Sequence, residues 1–212
     1  MKIAIIGAGN VGGALGANWA QKGHDVIFGV RDPKAEKTQA LLRMIGAKAR
    51  AATVAEAAGS ADMIVLSTPW PATEAAIRSM GKLKGKIILD ATNPLTRGPE
   101  GIGLEIGHAI SGGEKVQGWA AGASVFKTLN TTGFGNMANP EIKGVKSVMF
   151  VAGDDAANKP RVINLVSDLG FDVIDAGPLR NARLLEAHAM LWIDLALVRG
   201  QGRDFAFGIL RR

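Results

Sequence analysis

Lys2-Ile3-Ala4-Ile5-Ile6-Gly7-Ala8-Gly9-Asn10-Val11-Gly12 is the stretch that decides the fold. An apolar run of strand length passes at once into a GxGxxG turn. An amphipathic stretch to Lys22 follows, and Asp25 to Gly29 reads as a second strand. A lone GxGxxG is weak in a chain with 28 glycines. Between a strand and a helix of one βαβ unit it is a dinucleotide-binding fingerprint. Gly7 permits the tight turn, Gly9 lets backbone approach a pyrophosphate, and Gly12 lets the helix pack on the strand. The free N–H groups of the helix start then face phosphates. The alternative is a structural βα turn with no ligand.

The end of the second strand chooses between dinucleotides. An NAD site usually carries a carboxylate about 20 residues past the glycines, for the ribose 2′-hydroxyl. Here Arg31 lies 19 positions past Gly12, with Lys34 and Lys37 nearby. A guanidinium pairs with a phosphate that a carboxylate would repel, so the local charge favours NADP(H). Asp32 leaves NAD(H) open, and a solvated surface arginine is the plain alternative for Arg31.

The 212 residues suffice for one well-buried core and an appended segment. With no cysteine, disulfides, thiolate metal sites and cysteine nucleophiles are excluded. No apolar run approaches the length of a membrane span, and the cytoplasm is the expected location. The net charge of +6 is spread along the chain and tyrosine is absent. Anionic small molecules fit this better than nucleic acid, for which no stacking platform is evident.

Strands and helices alternate onward. Ala47–Ala52, Asp62–Ser67, Lys86–Asp90, Val125–Leu129, Ser147–Ala152 and Phe171–Asp175 read as strands. Helices are expected over Val54–Ala58, over Ala72–Met80, and from Gly153-Asp154-Asp155 to Leu169. The expected fold is α/β, a Rossmann-type doubly wound and mainly parallel sheet. Ligands of such sheets lie beyond the carboxyl ends of the strands. Thr68-Pro69-Trp70, Thr92-Asn93-Pro94 and Leu129-Asn130-Thr131 all follow strands and are expected to line one crevice. A helix from Asn181 to Val198, apolar nearly all round, calls for burial on more than one side and points to a homodimer. The expected division is 1–176, an NADP-binding domain, and 177–212, a C-terminal helical segment.

Catalytic side chains are hard to find. His24, His108 and His188 have no metal-ligand spacing, and no nucleophile–base pair is legible. His188 reads as a packed, hydrogen-bonded core or interface residue. Hydride transfer accounts for the gap, because cofactor and acceptor carry their own chemistry while the protein binds, orients and excludes water.

Several segments together resemble a known family. They are Gly7 to Gly12, Gly29-Val30-Arg31, Thr68-Pro69-Trp70, Asn93-Pro94-Leu95-Thr96-Arg97-Gly98, and Asp175-Ala176-Gly177-Pro178-Leu179 with Asn181-Ala182-Arg183-Leu184. They resemble the NADPH:coenzyme F420 oxidoreductase family, small Rossmann proteins that pass hydride between NADP and a deazaflavin. Asp90–Pro94 and Phe126–Asn130 are also similar to the NADPH-binding domain of the STEAP metalloreductases. The resemblance implies that Ala8 to Gly12 hold the pyrophosphate and Arg31 the 2′-phosphate. Thr68, Pro69 and Asn93 would flank the ribose and nicotinamide, with Asn130 and Thr131 near the nicotinamide end. Trp70 would help orient the rings, and Lys127 is placed on the acceptor side. The last helix would form a dimer and wall the acceptor pocket. Two departures stand out. Val30 precedes Arg31 where the family usually has serine. Lys127, Leu129 and Asn130 stand where the deazaflavin enzymes carry a histidine and a more apolar run. The acceptor is therefore open between coenzyme F420 and a free flavin. Rival readings are a flavin or ferric reductase, a C=N or C=O reductase, and a non-catalytic NADPH sensor.

Overall fold

A computed structural model describes residues 1–99 and 101–212. The chain runs β1 (Lys2–Ile6), α1 (Asn10–Gln21), β2 (Asp25–Gly29), α2 (Glu36–Ile45), β3 (Ala49–Ala52), α3 (Val54–Ser60), β4 (Met63–Leu66), α4 (Trp70–Arg78) and β5 (Ile87–Asp90). A hairpin of β6 (Leu95–Gly98) and β7 (Gly101–Leu104) follows, then α5 (Gly112–Trp119), β8 (Ser124–Lys127) and α6 (Phe134–Ala138). The chain closes with a small hairpin, β9 (Glu141–Ile142) and β10 (Val145–Lys146), then β11 (Val148–Gly153), α7 (Lys159–Ser167), β12 (Asp172–Asp175) and α8 (Ala182–Ile193).

Eight strands form one sheet in the order β12-β11-β8-β5-β4-β1-β2-β3. From β3 to β8 every neighbouring pair is parallel. The order reverses between β1 and β4, which opens a crevice at their carboxyl ends. Both faces are covered, as a parallel sheet requires. Along β1, Ile3 and Ile5 join one apolar cluster while Ala4 and Ile6 join the other. β11 runs antiparallel to β8. Its connection returns through α6 and the β9–β10 hairpin with no crossover helix of full length, so the chain re-enters the sheet from the crevice edge. Val148 therefore begins beside the loop that follows β8.

Element boundaries shift by a few residues from the sequence expectation, for local reasons. α4 begins at Trp70 because Pro71 fits the first turn of a helix, where its missing N–H costs nothing. α7 begins at Lys159, well after Asp154. Asp155 instead accepts from the Asn158 backbone N–H and side chain and from Ser124 Oγ, which builds a turn. The β6–β7 hairpin was not expected.

The long C-terminal helix is α8 followed by a wider π-helical turn, Asp194–Val198. One side is buried through Ala182, Leu185, Glu186, Ala189 and Trp192. Leu184 and Leu191 on the same helix remain 67% and 51% exposed. The tail then folds back on the domain. Phe205 stacks on Trp192, and the Phe207 carbonyl accepts from the Val148 N–H.

Candidate active site

The glycine turn at the end of β1 separates packing from access. Gly7 has φ +108°, the left-handed region, and a Cβ there would meet the Ser67 carbonyl oxygen at 2.9 Å. A Cβ on Gly12 would stand 2.7 Å from Ser67 Oγ and closer still to the Gly7 carbonyl. Ser67 Oγ itself donates to the carbonyls of Ile6 and Gly7, which ties the end of β4 to the turn. Gly9 is the opposite case, because a Cβ there would meet nothing within 4 Å. Gly9 is also the N-cap of α1, and no side chain caps that helix. The start of α1 thus has no side-chain cap and open space at Gly9, with the positive end of the helix dipole behind it. Such a helix start suits a dinucleotide pyrophosphate.

At the end of β2, Arg31 is exposed and makes no hydrogen bond or ion pair among the described residues. Asp32 is engaged locally, since its Oδ1 accepts from the Lys34 N–H at 2.9 Å and closes a turn. The guanidinium is therefore free to meet an anion at this end of the crevice, while Asp32 faces its own loop.

Beyond β4, Thr68 is half-buried and shares a 3.0 Å hydrogen bond with the Thr73 hydroxyl, while Pro69 is exposed. Past β5 and β8, Asn93 and Asn130 lock together. Asn93 Nδ2 donates to the Asn130 carbonyl at 2.9 Å, and Asn130 Nδ2 donates to Asn93 Oδ1 at 3.0 Å. Asn130 Nδ2 also reaches the Leu185 carbonyl of α8 at 3.3 Å. Leu129, just before, is a buried non-glycine residue at φ +58°.

Beneath this pair lies a buried ionic cluster. Lys127, at the end of β8, is paired in register with Asp90 at the end of β5. Its Nζ lies 3.0 Å from Asp90 Oδ2, 2.9 Å from Glu186 Oε1 and 2.5 Å from the Thr92 carbonyl. All three side chains are 0–1% exposed. Glu186 also accepts from the N–H groups of Gly112 and Gly113, where it caps α5. Burial works against the charged lysine, but Asp90 and Glu186 outweigh it and hold the ammonium above its ordinary range.

The matching family model, described as NADP oxidoreductase coenzyme F420-dependent, covers residues 2–94. A curated F420-dependent NADP reductase of Methanothermobacter marburgensis is 30% identical over 92% of each chain. The chain belongs to the F420-dependent NADP reductase family. A solved structure of a family protein from Arthrobacter sp. FB24, titled a putative F420 dependent NADP-reductase, superposes with a TM-score of 0.91. It shares 35% identity over the whole of both chains. The metalloreductase STEAP3 of Rattus norvegicus is 26% identical over 88% of this chain, which spans 36% of that protein.

Within this family fold, three sequence expectations are corrected. Lys127 cannot reach an acceptor, because it is wholly buried and its three donors are already taken. Trp70 is a core residue, 8% exposed and packed 5.4 Å from Trp119. Thr131 is buried, and its hydroxyl lies 3.6 Å from the sulfur of Met149 rather than in the open crevice. His188 is packed as expected, edge-on to Phe150 and Phe207, but its Nε2 has no hydrogen-bond partner among the described residues.

Glu186 was missed. Its signal is one carboxylate set among the apolar residues of Ala182–Ile193, which makes sense only once a buried cation is known to face it.

Proposed function

We propose that this protein transfers hydride between NADP(H) and a planar deazaflavin or flavin-like acceptor. The geometry around Gly9 carries the reading: open space over an uncapped helix start, in a turn whose other glycines are fixed by packing. The nature of the acceptor rests on the names of the relatives, two of them F420-dependent NADP reductases. In this reading Ala8 to Gly12 hold the pyrophosphate and Arg31 the 2′-phosphate. Thr68, Pro69 and Asn93 flank the ribose and nicotinamide, with Asn130 and the Thr131 backbone at the nicotinamide end.

When bound, the nicotinamide supplies or accepts the hydride. The chain's own part is to bind and orient. The Asn93–Asn130 pair is an uncharged, mutually hydrogen-bonded unit tied to α8 through the Leu185 carbonyl, which holds geometry without titrating. The exposed Leu184 and Leu191 are the face on which we place a second copy of the chain.

The test is NADPH oxidation by purified protein with the deazaflavin coenzyme and FMN supplied separately. Turnover with the deazaflavin supports the family's activity, and turnover with FMN alone places the chain in a flavin-reducing branch. NADPH binding without turnover on either would overturn the reading and leave another substrate or a sensor.

A further inference from the structure

Three ions buried together need an explanation other than stability. Replacing such a network with apolar residues of similar volume is often neutral or stabilising. What Asp90, Lys127 and Glu186 supply instead is geometry. An ammonium has three protons, and here each goes to a different element: β5 through Asp90, the following loop through the Thr92 carbonyl, and α8 through Glu186. The second oxygen of Asp90 accepts from both the Thr92 N–H (2.9 Å) and the Thr92 hydroxyl (2.6 Å). Thr92 is thus held on its amide side by Asp90 and on its carbonyl side by Lys127.

The next residue is Asn93, which binds Asn130, and Asn130 binds the carbonyl of Leu185, the neighbour of Glu186. The contacts close into a ring, from Lys127 through Glu186 and Leu185 to Asn130, Asn93, Thr92 and back. Leu129, between the ring members Lys127 and Asn130 on the chain, is in the left-handed region, a conformation kept only where its surroundings enforce it.

We propose that the buried Asp90–Lys127–Glu186 cluster is a positioning device that sets the orientation of the Asn93–Asn130 pair against α8 at the reacting end of the crevice. The proposal rests on the hydride-transfer function above. Lys127 is a positioning residue that acts through Thr92 and Asn130, not on a reactant.

The test uses the full chain carrying Lys127→Met, with Glu186→Gln in its place if the first variant does not fold. Expected are NADPH affinity near wild type and loss of exchange protection at the side-chain amides of Asn93 and Asn130 in nitrogen-15 NMR spectra. The rate of hydride transfer should fall about tenfold to a hundredfold with little change in the acceptor KM, as for a sub-ångström misplacement. In an Asn130→Ala background the same substitution should add little, because the path is already cut. Wild-type amide protection, or a rate loss that matches only a smaller folded fraction, would overturn the proposal. The amide measurement needs no acceptor. If the wild type turned over neither deazaflavin nor FMN, the functional reading would fail while the NMR result still decided the positioning role.

Discussion

Two alanine substitutions three residues apart should give opposite phenotypes. At Gly12 a methyl group would press on Ser67 Oγ and on the Gly7 carbonyl. Both are held by the β1–β4 junction, since Ser67 Oγ donates to Ile6 and Gly7. Overpacking of this kind costs about 1–3 kcal/mol. For a chain of this size that lowers Tm by about 2–4 °C per kcal/mol. At Gly9 the backbone is extended (φ −82°, ψ −166°) and a methyl meets nothing within 4 Å. Its cost is that of an alanine at a helix N-cap, about 1 kcal/mol or less. The same methyl stands where the phosphates must approach, so NADPH affinity should fall at least about tenfold, or 1.4 kcal/mol. Differential scanning fluorimetry without ligand, and calorimetric titration with NADPH, read the two effects separately. Wild-type NADPH affinity in Gly9→Ala would refute the placement of the phosphates over the turn. A Gly9→Ala protein less stable than Gly12→Ala would refute the packing argument.

Arg31→Ala should weaken NADPH by about 1–3 kcal/mol, the worth of charge-assisted hydrogen bonds to a phosphate, and leave NADH nearly unchanged; equal loss for both in parallel titrations would sink the 2′-phosphate assignment. Arg183 donates twice to Glu114 and holds that carboxyl down at about 2. A lowered carboxylate pKa gives stability that is present above its ordinary value of 4.5 and lost as the pH falls toward 2. Because the pair is 36% and 23% exposed, solvent screening keeps its worth small. The Tm gap between wild type and Arg183→Ala should therefore show at neutral pH and close on acidification. Leu191→Glu, on the open side of α8, should yield a monomer in analytical ultracentrifugation with little loss of Tm, and an unchanged sedimentation coefficient would count against the placement of the second copy.

The half of the molecule that meets the dinucleotide was legible because its signals are local. A strand, three glycines and a helix lie within one window, and each glycine has a reason visible in the backbone. The place of Arg31, exposed just past the end of β2, was legible by count from Gly12. The crevice loops were legible through one topological rule, which brought Asn93 and Asn130 to the same edge although 37 residues separate them. The antiparallel entry of β11 and the β6–β7 hairpin were not, since both depend on where a connection leaves the sheet and not on any periodicity. Lys127 and Trp70 misled for a shared reason. A residue that follows or ends a strand at the crevice edge can point into the crevice or back beneath it, and sequence does not distinguish the two.

The acceptor side is the harder half for a physical reason. Its polar groups at the crevice are amides and hydroxyls, and its charges are buried below them as a triad of two carboxylates sharing one ammonium. Such a site leaves no acid, base or nucleophile pattern to find. That fits the proposed function, because hydride passing between two rings depends on alignment and exclusion of water. His188, on α8, is shifted by burial toward its neutral form and is wedged edge-on between Phe150 and Phe207. The charged cluster, being buried, then contributes what charge contributes best away from water, a fixed set of directions. On the proposed function, the lack of a legible acid or base at the acceptor end and the costly buried triad are two sides of one arrangement, in which buried ionic groups set positions and uncharged groups meet the acceptor.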